Sequence, residues 1–151
     1  TAYQKNDLEL ALKKFEEVKV LMPEYEEVGR YLTLTKTSLA NILFEQSRTN
    51  TDNGQLDEAV KKLKRAVELN PQDHRIQPAL DIAVRDLESK NAQDSRKIYQ
   101  EGLDAYLSGN TEKAVKNWKR ALELDSSNED AQKALQKLEE QKAYEKTKQD
   151  Q

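Results

Sequence analysis

The chain has the length of one domain at 151 residues, and 35% charged against 36% hydrophobic residues leaves material for a thin core only. Cysteine is absent, which excludes disulfides and thiolate metal sites, and a net charge of −3 argues against nucleic-acid binding. No apolar run approaches the roughly 20 residues of a membrane span, which argues against direct membrane insertion, and no signal peptide is legible.

Regular apolar spacing predicts helix almost throughout. Ala2-Tyr3-Gln4-Lys5-Asn6-Asp7 followed by Ala11 matches Ala105 to Asn110 followed by Ala114, so Thr1 to Gln4 read as the last turn of a helix, and the chain as a fragment of a longer protein. A helix is expected over 7–22, with Asn6 as N-cap and Glu9 completing a capping box. Pro23 stops it, because proline cannot continue the backbone ladder. A second helix spans 24–48 through Val28, Leu32, Leu39, Ile42 and Leu43, and 48–54 is rich in turn formers and reads as loop. A third covers 55–70 with Leu56, Ala59, Val60, Leu63 and Ala66 on one face.

Helical pattern resumes near 74 with Ile76, Leu80, Val84 and Leu87, and Pro78 predicts an irregular first turn. Leu32 to Leu43 spans 11 residues while the equivalent Leu80 to Ile98 spans 18. Seven extra residues are two helical turns, which keep the buried face aligned only if helix runs through them. No Gly or Pro interrupts 79–101, so one long helix is expected from about 75 to 108; the polar run 89–95 is the rival signal for a break. Gly109 suits a left-handed C′ position, Asn110 caps a helix over 111–124, and Asn128 opens a last helix whose apolar stripe fades after Leu138.

One pattern recurs in three of these helices. Ala11-x-x-x-Phe15-x-x-Val18-x-x-Leu21-x-Pro23 returns as Ala59-x-x-x-Leu63-x-x-Ala66-x-x-Leu69-x-Pro71, and again as Ala114-x-x-x-Trp118-x-x-Ala121-x-x-Leu124-x-Ser126. Helices with small residues at such spacing bury their stripe by stacking on copies of the same unit. The stretch 98–126, with Gly102, Ala105, Gly109-Asn110, Ala114, Trp118 and Ala121, resembles a tetratricopeptide (TPR) repeat. Leu43, Ser47, Gly54, Ala59, Leu63, Ala66 and Pro71 form a weaker copy. Pro23 to Pro71 is 48 residues and Pro71 to Ser126 is 55, longer than the roughly 34 of the family, so an extra helical segment separates the hairpins.

The resemblance implies an all-α, elongated α-solenoid of antiparallel TPR-like helical repeats, with six to seven helices of which one or two are long. The expected organisation is a single repeat region over 1–151: the second helix of a truncated repeat at 1–23, a repeat at 24–71, a repeat with its long linking helix at 72–126, a capping helix at 127–147 and a disordered tail at 148–151. It further implies a non-enzymatic scaffold that binds a protein or peptide partner, with no cofactor and no metal. TPR units joined by long helices are similar to those of bacterial periplasmic and cell-envelope proteins, although the sequence suits the cytoplasm as well.

Partner-binding positions carried over from the family fall on the first helix of each hairpin. They are Asn41, Phe44 and Arg48 in one copy and Arg96, Tyr99, Gln100 and Leu103 in the other. Tyr99 and Leu103 lie off the packing stripe, so they serve either as binding anchors or as packing for a neighbouring helix. Glu45 beside Asn41 would repel a terminal carboxylate. The basic face Lys61, Lys62, Lys64 and Arg65, repeated at Lys113, Lys116, Lys119 and Arg120, reads as solvated, with Glu58 and Glu112 placed to pair it. His74 is the sole histidine and no phosphate loop or metal-ligand spacing is present, so no catalytic residue is assigned. The alternative to a binding module is a structural spacer that self-associates through an open end.

Overall fold

A proline or glycine stands just past the C-terminal end of four of the six described helices. The structure, a computed structural model, describes residues 2–149 and is all-helical, with no strand among them. The elements are α1 (Ala2–Leu21), α2 (Glu26–Asp52), α3 (Leu56–Leu69), α4 (Ile76–Leu107), α5 (Thr111–Leu124) and α6 (Glu129–Gln149). α1 stops two residues before Pro23 and α3 two residues before Pro71. Pro78 is the third residue of α4, where a backbone N–H has no intrahelical acceptor in any case, so it starts the helix without breaking it.

Three boundaries differ from the sequence expectation. α1 runs unbroken through Asn6, so Asn6 is an interior residue and not an N-cap. At the matching positions of the other copies stand Gly54 and Gly109, both left-handed with φ of 72° and 81°. Asn6 carries a Cβ, and among the described residues none other than glycine adopts positive φ, so nothing forces a turn there. α2 continues to Asp52, shrinking the expected loop at 48–54 to the turn around Asn53 and Gly54. α6 extends through 148 to Gln149, where a disordered tail is expected; Asp150 and Gln151, like Thr1, lie outside the described residues.

α4 is one uninterrupted helix. The chain nevertheless divides into two compact units, Thr1–Asp86 and Leu87–Gln151, with the division inside that helix. In the first unit, Leu39, Ala40 and Leu43 of α2 are buried together with Ala59, Leu63 and Ala66 of α3 and Ile76 and Ala83 of α4. α1 lies along the other end of α2, with the Phe15 and Tyr31 rings stacked 5.4 Å apart and Leu12 and Val28 buried.

The second unit packs around Trp118, with Ala105, Ala114, Ala121 and Ala131 buried and Ile98, Tyr99, Leu122, Ala134 and Leu135 half-buried about them. The alanines let the helix backbones approach, and the indole fills the space between them. Burying one such side chain is worth about 3 kcal/mol. Its ring also meets Tyr106 at 5.8 Å and Tyr99 at 6.4 Å, contacts of about 0.5–1.5 kcal/mol each beyond area. Gly102 is required by this packing: a Cβ built on it would stand 2.6 Å from the indole Cδ1 and Nε1.

Candidate functional site

The two units are built in one register, 55 residues apart. Each hairpin turn closes in the same way. Gly54 N–H donates to the Thr51 carbonyl and Gln55 N–H to Asn50; Gly109 N–H donates to Tyr106 and Asn110 N–H to Ala105. This is the Schellman arrangement, which satisfies the last carbonyls of a helix through a left-handed C′ residue. Past the turn, Ala59, Leu63 and Ala66 match Ala114, Trp118 and Ala121, all buried. The helix that follows also matches, with Ile76 of α4 and Ala131 of α6 both fully buried.

A polar residue precedes that helix in each unit, Asp73 before α4 and Asn128 before α6. Asn128 Oδ1 accepts from the Ala131 N–H as a cap, while its amide donates to Ser95 Oγ at 2.8 Å. Ser95, fully buried, donates in turn to the Ala121 carbonyl at 2.8 Å, so every member of the chain is satisfied. At the matching position in the first unit, Asp73 pairs with Arg75 at 2.6 Å. The hydrogen bond from Arg75 holds the Asp73 carboxyl at about 2, well below the ordinary carboxylate range.

An open groove lies between α2 and the start of α4 in the first unit, and between α4 and α6 in the second. In the second unit it measures about 430 Å³, with Trp118 and Leu138 at its base, Tyr99, Leu103 and Tyr106 from α4 on one side, and Lys133 and Lys137 from α6 on the other. The first unit has a groove of about 230 Å³ at the same register, with Leu63 and Ala83 at its base. Arg48 and Thr51 line one side and Ala79 and Ile82 the other, with Asp52 and Asp86 at the rim.

These grooves sort the residues assigned from sequence. Tyr99 and Leu103 line the second groove and Arg48 the first. Tyr99 is half-buried and its carbonyl accepts from the Trp118 indole at 3.3 Å, so it belongs to the core's edge as well as to the groove wall. Asn41 and Phe44 are engaged within the chain: Arg75 donates to Asn41 Oδ1 at 3.0 Å, and its guanidinium carbon lies 5.3 Å over the Phe44 ring. Arg96 and Gln100 are exposed and line neither groove. Sequence reasoning missed the contribution of α6, whose apolar stripe at Ala131, Ala134, Leu135 and Leu138 marks a packing face while giving no sign that Lys133 and Lys137 border an aromatic floor.

On α6, Lys133 makes an ion pair with Glu129 at 2.9 Å that raises the pKa of the lysine and lowers that of the glutamate. Among the described residues no group of three or more His, Cys, Asp or Glu is placed to hold a metal ion, and no helix is long and apolar enough to cross a membrane. No protein-family model matches the chain, and no curated protein does either.

Proposed function

We propose that this chain is a tetratricopeptide-type helical-repeat module, an α-solenoid segment that holds part of a partner protein without transforming it. The observation that carries the reading is the groove of the second unit. There an aromatic and leucine surface formed by Tyr99, Leu103 and Tyr106 stays open beside a rigid, fully satisfied helix packing. An apolar cleft with a few polar groups at its edge, set on helices and not on loops, suits recognition of a peptide segment. Repetition of the same groove at the same register in the first unit supports the repeat interpretation.

A random 12-residue peptide library selected on the purified chain tests this, with the bound site mapped by amide chemical shifts. Selected peptides are expected to shift residues 99–106 and 133–141 and to lose binding to Leu103→Arg, which changes a half-buried groove side chain and leaves Trp118 in place. Selection of no peptide, or shifts confined to other helices, refutes the proposal.

One observation favours a second reading, self-association. Ala11, Phe15 and Val18 of α1 are only half-buried where their counterparts in α3 and α5 are buried, and Val20, Leu21 and Met22 are exposed. That reading expects a mass that rises with concentration in sedimentation equilibrium and falls back to monomer in Phe15→Glu. A monomer across the concentration range removes it.

A further inference from the structure

The rims of the two grooves carry opposite chemistry at matching positions, and this defines what the second groove accepts. Lys133 and Lys137 stand one turn apart on α6, where the first unit has Pro78 and Ile82. Conversely, Gln141 and Leu107 stand where the first unit has the rim carboxylates Asp86 and Asp52. The second groove thus pairs two ammonium groups with an aromatic floor, with Asp130 as the carboxylate in its lining. Lys133 is already paired with Glu129, and Lys137 has no hydrogen bond or ion pair among the described residues. The first groove has the reverse balance, Arg48 against Asp52 and Asp86, with Arg48 paired to Glu45 at 3.4 Å.

We infer that the groove of the second unit selects a partner segment in which an apolar side chain is flanked by carboxylates. The apolar group enters between Leu103 and Leu138 onto Trp118, and a flanking Asp or Glu meets Lys137 first, with Lys133 reached by exchange from Glu129. Charge complementarity at such a rim sets specificity more than raw affinity. The selection is therefore strongest at low salt and fades as ionic strength rises. The inference rests on the groove being a peptide site at all, and the experiment separates the two.

Three fluorescent peptides, acetylated and amidated, share a Leu-Phe centre and differ only in flanking residues: Glu, Gln or Lys on both sides. Anisotropy titrations with the full chain at low salt are expected to rank Glu over Gln by about tenfold and Lys weakest. In the double variant Lys133→Gln/Lys137→Gln, which alters two exposed side chains, the Glu and Gln peptides are expected to converge in affinity. Equal binding of Glu and Gln peptides to the native chain overturns the selectivity and leaves the groove reading standing. An acidic preference that persists in the double variant overturns the assignment to these lysines. Binding by none of the three, or binding indifferent to Leu103→Arg, overturns the groove reading and the selectivity with it. A fourth peptide, with a free C-terminal Leu in place of the flanking acids, tests capture of a chain end; tighter binding than the Glu peptide also overturns the inference.

Discussion

Replacing a helical glycine by alanine has opposite outcomes at two places in this chain, and the difference measures how tightly the second unit is packed. Gly29 in α2 has nothing within 4 Å of a Cβ built on it, so Gly29→Ala gains only the helix-propensity term, about 1 kcal/mol of stabilisation. Gly102 in α4 has the indole Cδ1 and Nε1 of Trp118 at 2.6 Å and Asn117 Cβ at 3.2 Å. Ordinary contact would require the indole to retreat by about 1 Å. Trp118 is 3% exposed and held between Tyr99 and Tyr106, so the ring yields only by giving up those ring contacts. Overpacking of this kind costs about 1–3 kcal/mol. After the propensity gain, Gly102→Ala is expected to lose about 0–2 kcal/mol, against the gain at Gly29. Urea unfolding followed by far-UV circular dichroism is the assay, since the helices of both units contribute to the signal and it survives the loss of Trp118, the only tryptophan. The matching pair in the first unit is Ser47 beneath Leu63, so Gly102→Ser/Trp118→Leu transplants a combination the fold already accommodates. Its stability should exceed the sum of the two single effects. Stabilisation by Gly102→Ala equal to that by Gly29→Ala, or strict additivity in the double variant, would refute the packing argument.

Other perturbations test separate parts of the structure. Asn128→Ala removes the cap of α6 and the donor to Ser95 Oγ together, so a loss of about 1–3 kcal/mol is expected in the same urea assay; no loss would mean the buried network is ornamental. Gly109→Ala places a Cβ at φ of 81° and should cost about 1–2 kcal/mol although nothing crowds it, whereas an unchanged midpoint would remove the strain argument. The Asp73 carboxyl is lowered from its ordinary 3.8 to about 2 by Arg75. A depressed pKa contributes stability that is fully present above the unfolded value and is lost as pH falls through the folded one. Acid titration between pH 4 and pH 2 should therefore destabilise the native chain more steeply than Asp73→Asn, and parallel curves for the two would sink the assignment.

Much of the fold was legible because helix geometry is local. A 3.6-residue period turns the spacing of Ala59, Leu63 and Ala66, or of Ala114, Trp118 and Ala121, directly into a buried face, and these six residues are buried. Pro23, Pro71 and Gly109 act through their own backbone, so the ends they impose needed no partner to be read. The uninterrupted α4 follows from the same logic, since a seven-residue insertion in a helix preserves its face. Asn6 was misread because a capping residue only permits a turn, whereas Gly54 and Gly109 adopt the left-handed backbone that their turns require.

The candidate site was legible only in part, because a groove is a relation between helices distant in sequence. Periodicity shows which side chains share a face of α4, and so it separated Tyr99 and Leu103 from the packing stripe. It cannot show that Lys133 and Lys137 of α6 come to border the same cleft, or that Arg75 reaches back over Phe44 to Asn41. Those outcomes depend on which faces meet and on rotamers chosen after the backbones dock, terms that involve pairs of residues more than thirty positions apart. Helix ends and buried stripes were properties of single segments and stood in the chain from the start. The chemistry of the cleft belongs to the packing, which alone brings an aromatic floor and a basic rim together.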